Sequence, residues 1–477
     1  MKTLLSARWM IGHEDGAHVV FENGVVVIED DAVLFVGDAF DGTVDTRIDY
    51  GEAVIAPGFI DLDALSDLDT TILGLDNFPA WKKGRVWPQS YVERGPYEMY
   101  SSDELAFQKR FAFSQLIRNG ITTALPIASL FYREWGETVE EFEAAADIAE
   151  TLGLRVYLGP AFRSGGQVVD ETGSIRAIFD EDRGRRGLGD AAAFAARIEG
   201  RANGRIRAMF APDRIETCTE TLLQSTAAIA TEMVAPVRQH CLQSLTELRL
   251  VREQHGCTPI EWLARIGALG ENWLLPHGTL GTQVDFALIA DAGATIVHCP
   301  LVSARHGGML RSLAKLKAMG INIGLGTDTC PPDMILNMQL GLMTARIADG
   351  IEAVRSETLF DAATLGGAQA LNRPDLGRLT PGAKADIAVI DLSGALQTTD
   401  PVQTLMTSSS GRDVRDVWID GRRVMADRVI DGVDEAADRT RAQTQFDALI
   451  AKYPDRTHGN PPVSEIFTPS YRRPDHA

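Results

Sequence analysis

The chain has 477 residues, 45% hydrophobic and 23% charged, with a net charge of -20 and a pI near 4.9. That size and mix describe a globular protein with a large core and more than one structural unit. Its negative field repels polyanions, which argues against nucleic acid or an anionic membrane as partner and leaves small neutral or cationic ligands.

The opening Met1-Lys2-Thr3-Leu4-Leu5-Ser6-Ala7-Arg8 lacks a long apolar core before a small-residue cleavage site, and no run of about 18 apolar residues follows. A cytoplasmic location is the expectation. The five cysteines (Cys218, Cys241, Cys257, Cys299, Cys330) are odd in number, scattered and without a CxxC, so neither a disulfide framework nor a thiolate zinc site is expected. Cys241 and Cys299 follow strand-like runs and read as small buried hydrophobes.

Residues 1–55 alternate short β runs with turns, as in Val19-Val20-Phe21, then Glu22-Asn23-Gly24, then Val25-Val26-Val27-Ile28. Such strands cannot build a core alone, and matching runs appear at 376–432, around Ile387-Ala388-Val389-Ile390 and the hairpin 414–424. The two ends are expected to form one small β-sandwich domain, split by everything between.

The stretch 56–375 alternates strand-like runs with helical patterns. The strand candidates are 55–62, 121–127, 155–159, 206–211, 234–240, 273–277, 295–298 and 321–328, with helices such as 102–119, 138–152 and 310–319 between them. Eight strands over that length predict an α/β fold, a (β/α)8 TIM barrel. The segment 76–100, with Trp81, Trp87 and several Pro and Gly residues, is long for a βα loop and reads equally as a lid or substrate wall and as a packing or dimer loop. Beyond 433, a polar-faced helix at 435–452 leads into a Pro-containing tail to 477 that either wraps a neighbouring subunit or is disordered.

In a barrel, chemistry sits at the C-terminal ends of the strands. The first run, Pro57-Gly58-Phe59-Ile60-Asp61-Leu62-Asp63, ends in carboxylates, and His240, His277 and Asp328 stand at later strand ends. One such His alone is more often structural. Two imidazoles and carboxylates converging on one mouth suit a divalent metal.

On Pro57-Gly58-Phe59-Ile60-Asp61, His240, His277-Gly278, His298-Cys299-Pro300, Gly324-Leu325-Gly326-Thr327-Asp328 and Pro381-Gly382-Ala383-Lys384-Ala385-Asp386, the chain resembles the amidohydrolase superfamily over about residues 1 to 430. The branch it resembles holds the triazine hydrolases and the cytosine and guanine deaminases. The resemblance implies a divalent metal ion on His240 and Asp328; with His277 and Asp63 as further expected ligands, His and Asp donors suit zinc first, with iron, manganese or cobalt compatible. It implies catalytic roles for Asp328, as proton acceptor from water, and for His277, orienting that water or polarising the substrate. Gln243, His306 and Trp81 are the expected substrate contacts.

Three departures shape the expected chemistry. Where the family carries His-x-His at the first strand end, this chain has Asp63-Ala64-Leu65, so Asp63 is the one donor left there, and Asp67 and Asp69 read as solvated or helix-capping. Gln243 stands where such deaminases carry a proton-shuttling Glu, and a neutral amide cannot do acid/base work. No Lys stands in 206–211, which argues against a carbamylated-lysine binuclear site. These departures are similar in kind to those of the phenylurea and thiocarbamate (molinate) hydrolases, the nearest named group on this reading.

The expected function is a metal-dependent hydrolase cleaving a C–N or C–S bond of a small urea, carbamate, amide or heterocycle. The alternatives are a deaminase of a cyclic amidine such as a pterin, purine or triazine, and a metal-free homologue that binds a small molecule without turnover. The expected partners are a small-molecule substrate and further copies of the chain in a homodimer.

Overall fold

The computed structural model describes residues 1–68, 86–93, 100–127 and 135–471. Two four-stranded parallel sheets form its centre. Strands Phe59–Leu65, Ile121–Ile127, Arg155–Leu158 and Ile206–Ala208 pair in that order, and Val237–Arg238, Trp273–Pro276, Thr295–His298 and Asn322–Leu325 follow in the second sheet. Their residues are almost all buried, as expected when both faces of a parallel sheet are covered.

Backbone contacts join the two sheets at both seams. Phe210 forms a parallel bridge with Val237. On the other side the Asp328 N–H donates to the Asp63 carbonyl at 2.8 Å, and the Thr327 N–H donates to Asp61 Oδ1 at 3.0 Å.

All eight expected runs contain a strand, several shorter than expected. In 234–240 only Val237–Arg238 is a strand, because Pro236 has no N–H to give a ladder and the chain turns left-handed by Leu242, φ 57°. The first run splits at Gly58. Ala53–Pro57 pairs antiparallel with Ile387–Asp391, and Phe59–Leu65 enters the parallel sheet. Glycine is required at the break, since a Cβ there would stand 2.2 Å from Thr122 Oγ1.

Strands from both chain ends share one six-stranded sheet, ordered Arg422–Met425, Val414–Ile419, Ile387–Asp391, Ala53–Pro57, Trp9–Glu14, Ala17–Glu22. A four-stranded sheet of Ala32–Gly37, Val25–Glu29, Lys2–Ser6 and Thr46–Asp49 packs with it over Leu5, Met10, Val26, Ile55, Val389 and Trp418. Arg155 fastens this layer to the parallel sheet. Its Nε and Nη2 reach Asp386 at 3.1 Å, and Nη2 also donates to Asp420. All three side chains are buried.

A hairpin of Gly165–Val169 and Ile175–Phe179, extended by Trp87–Pro88, was not expected from the alternation. Its turn chemistry is present at Asp170 to Gly173, where Asp170 Oδ1 accepts from the Thr172 and Ser174 N–H groups. Most of the long 76–100 loop, Trp81 included, lies outside the described residues, as does Asp69. The described part of the tail packs on its own chain, with Tyr453 and Ile466 buried against Tyr100, Leu105 and Leu449. Among the described residues no helix is long and apolar enough to cross a membrane.

Replacing Arg155 by Met should lower the unfolding free energy in urea by about 3–5 kcal/mol, because buried Asp386 loses its counter-ion while Asp420 keeps only Arg205 at 3.3 Å and Lys384 at 3.8 Å. A loss below about 1 kcal/mol would show that this ion pair does not fasten the two layers.

Candidate metal centre and active site

Asp63 lies on strand Phe59–Leu65, and His240, His277 and Asp328 lie one to three residues past the ends of strands Val237–Arg238, Trp273–Pro276 and Asn322–Leu325. The structure brings all four together. The donor atoms of Asp63, His240 and His277 lie within 4.8 Å of one another. Asp63 Oδ2 is 3.4 Å from His240 Nε2, Asp328 Oδ2 is 3.6 Å from His277 Nε2, and the two imidazole centroids are 5.5 Å apart.

Two of these positions carry backbone strain. His277 has φ 79° and Asp328 φ 44°, a left-handed region that non-glycine residues seldom adopt. Each is pinned by its own N–H, His277 to the Val297 carbonyl at 2.9 Å and Asp328 to the Asp63 carbonyl at 2.8 Å. Strain held by neighbouring strands aims both side chains at the mouth.

Burial, with His240 next, drives the His277 pKa down to about 3, so this imidazole is neutral at physiological pH. Burial alone takes His298 down to about 4. Burial and the Asp63 charge push the Asp328 carboxyl well above the usual carboxylate range. Burial opposes ionisation of Asp63 too, but His240 and Arg238 outweigh it and hold Asp63 below its ordinary value. Asp61, beneath them, is raised by burial to about 7 although Thr327 donates to it.

Asp63 Oδ1 and His277 Nε2 are both buried without a hydrogen-bond partner. Buried polar atoms rarely stay unpaired without a functional reason. The unpaired His277 Nε2, the Asp63 carboxylate, whose Oδ2 faces His240, and Asp328 make with His240 a donor set that fits one divalent cation of the zinc, iron, manganese or cobalt type.

The expected substrate contacts fall around this cluster unevenly. Gln243 is exposed, and its N–H donates to Glu247 Oε2 at 2.8 Å. His306 ends helix Pro300–Arg305 and is exposed. Its Nδ1 is 2.8 Å from the Val302 carbonyl, and its charge contributes to lowering His277. Trp81 lies outside the described residues. Asp67, expected to be solvated, is instead buried, because the chain stays inside past the strand end, where the Ser66 N–H donates to Ile127 at 3.0 Å.

Sequence reasoning missed three residues here. Arg238 sits two positions before His240, so strand alternation aims it the same way, and its Nε is 3.4 Å from Asp63 Oδ1. Glu247 caps the turn after His240, accepting from the Leu242, Gln243 and Ser244 N–H groups, and Ser244-x-x-Glu247 was a legible capping box. Cys299 Sγ stands 3.7 Å from Asp63 Oδ2.

Residues 54–424 match the model of the amidohydrolase family, and the chain belongs to that family, whose members are typically (β/α)8 barrels. The chain is 28% identical over 462 residues, 94% of its length and 99% of the relative's, to a 5-methylthioadenosine/S-adenosylhomocysteine deaminase of Halobacterium salinarum. It is 26% identical, over 90% of its length and 94% of the relative's, to a 5'-deoxyadenosine deaminase of Methanosarcina barkeri. An adenosine deaminase from Xanthomonas campestris with bound zinc superposes with a TM-score of 0.79 at 22% identity, covering 93% of this chain and 98% of that one. An atrazine chlorohydrolase from Arthrobacter aurescens complexed with zinc does so with a TM-score of 0.78 at 21% identity, covering 93% and 100%.

The chain is a hydrolase acting on carbon–nitrogen bonds, and its substrate is a small molecule. These similarities correct one expectation. The named relatives are nucleoside deaminases, and the triazine hydrolases are neighbours in fold, so the likeness to phenylurea and molinate hydrolases, drawn from the altered first strand, is set aside. A lost motif says which ligand changed and does not carry ancestry.

His298 gives a pH test of the buried imidazoles. The unfolded chain takes up its proton near 6.5 and the fold only near 4. Between those values the unfolded state binds more protons, so stability falls as pH drops through this window. His298→Leu should remove up to about 1.4 kcal/mol per pH unit from the slope of urea-unfolding free energy between about pH 6 and 4.5. An unchanged slope would show that His298 titrates normally in the fold.

Proposed function

We propose that the chain is a deaminase-type hydrolase that uses one divalent ion to displace a nitrogen substituent from an sp2 carbon of a small nitrogen heterocycle. The observation that carries it is the convergence of Asp63, His240 and His277 within 4.8 Å, with Asp328 3.6 Å from His277. The names of the relatives, aminopurine nucleoside deaminases aligned along nearly the whole chain, support the heterocyclic class. We also propose that the two parallel sheets are halves of one (β/α)8 barrel, supported by the contacts at both seams.

Asp63, His240 and His277 would hold the ion, with Asp328 beside them. The ion supplies Lewis acidity, which makes attack by water feasible at neutral pH. Asp328 takes the proton. Its burial next to Asp63 raises its proton affinity, the direction a proton acceptor needs. His277, neutral because buried, orients the attacking water or the ring nitrogen by hydrogen bonding without adding charge. His306 and Gln243, exposed at the rim, contact the substrate beyond the reacting carbon.

Gln243 also supports a second reading. An amide cannot protonate a departing group, which favours leaving groups that depart with little help, such as an aniline, a thiol or a resonance-stabilised amine. Phenylureas and thiocarbamates therefore belong in the substrate panel beside aminopurines, pterins and triazines.

Asp328→Asn should lower kcat/KM by about 10²–10⁴-fold, the usual cost of losing a proton acceptor. Gln243→Ala should cost about one or two kcal/mol in the transition state, as expected for a hydrogen bond. Assaying both variants against the panel tests the roles. Equal damage from the two would contradict them, and turnover confined to ureas and thiocarbamates would favour the second reading.

A further inference from the structure

Arg238 brings a fixed positive charge against the cluster, and no role described so far uses it. It is buried, 2% exposed at the side chain, and ends the short strand Val237–Arg238, two residues before His240. Its Nη1 donates to the Leu125 carbonyl at 2.9 Å and to the Pro126 carbonyl at 3.2 Å. The guanidinium is thus anchored to the end of strand Ile121–Ile127 in the other parallel sheet. Its Nε lies 3.4 Å from Asp63 Oδ1, while Asp63 Oδ2 lies 3.4 Å from His240 Nε2. The two oxygens of one carboxylate are divided between a fixed cation and the donor cluster.

We propose that Arg238 is a positioning residue that makes Asp63 act as a neutral ligand with one donor atom, so that the Asp63–Arg238 pair does the work of a single imidazole. The inference rests on the metal-binding reading above. An imidazole offers a metal one lone pair and no charge, whereas a free carboxylate offers two oxygens and a negative charge. Arg238 removes both differences. A guanidinium is charged at every accessible pH, so it offsets the carboxylate's charge, and by holding Oδ1 it leaves Oδ2 for the ion. At 3.4 Å the attraction is Coulombic more than a close hydrogen bond. It orients the carboxylate without locking it.

The pairing also explains why each residue is present. The Nη1 contacts of Arg238 are to neutral carbonyls, and a buried charge with only such partners is costly. Asp63 without Arg238 would add an uncompensated negative charge to a site where Asp328 already supplies one.

Cobalt(II) titration of the full chain, followed by visible absorption and equilibrium dialysis, tests the pair in wild type, Arg238→Met, Asp63→His and Asp63→His/Arg238→Met. Arg238→Met frees the second oxygen and removes a positive charge. Its visible bands should weaken, as they do when coordination number rises, and it should bind cobalt about tenfold tighter or more. Asp63→His alone leaves the guanidinium uncompensated and should bind about tenfold weaker or worse. The double variant should return to the wild-type spectrum and affinity.

A wild-type spectrum and affinity in Arg238→Met would overturn the proposal, as would a double variant no better than Asp63→His. If Arg238→Met does not fold by circular dichroism, the comparison of Asp63→His with the double variant decides by the same criteria. Wild type that takes up no cobalt would overturn the metal reading itself, and the pair with it, a result distinct from either failure of the pair alone.

Discussion

The tie between the first and last parallel strands is the constraint on which the site depends. Asp61 accepts from the Thr327 N–H at 3.0 Å and from its hydroxyl at 2.6 Å, and the Asp328 N–H donates to the Asp63 carbonyl. These bonds join strands more than 260 residues apart in sequence. They set Asp63 and Asp328, two carboxylates that would otherwise repel, on either side of two imidazoles. They also hold Asp328 in its left-handed conformation. A floor of buried hydrogen bonds lets the mouth above carry strain and unpaired donors.

The electrostatics follow from that crowding. Burial keeps His277 and His298 neutral and raises Asp328. Asp63, flanked by His240 and Arg238, is pushed toward its charged form, and Asp63 in turn outweighs burial to raise His240 toward its own. Two carboxylates in one buried cluster thus differ in proton affinity, an arrangement that separates a ligand role from an acid/base role. A neutral His277 beside them keeps a lone pair free, which a protonated ring would lack.

Much of this was legible in the sequence, and the rest was hidden for identifiable reasons. The eight apolar runs gave strands because parallel strands buried on both faces need continuous apolar residues. The Pro-Gly break at 57–58 hid a change of sheet inside one run, since Ala53–Pro57 and Phe59–Leu65 look alike in composition. His240, His277 and Asp328 stood out as polar residues ending apolar runs. Arg238 did not, because an arginine in a short strand reads as an exposed edge residue until its partner Asp63, on a strand of the other sheet, is known. The hairpin at 165–179 was masked by the α/β alternation around it, despite its Asp-x-x-Gly turn. Asp67 was misjudged because sequence cannot show whether the chain turns outward after a strand.

The account stands on one metal ion held by Asp63, His240 and His277. Plasma mass spectrometry on protein purified without chelator, for wild type and His240→Ala, tests it most directly. The account predicts about one equivalent of a divalent transition metal per wild-type chain and a small fraction of that in His240→Ala, with both folded. A wild-type protein that is metal-free and still hydrolyses its substrate would contradict it.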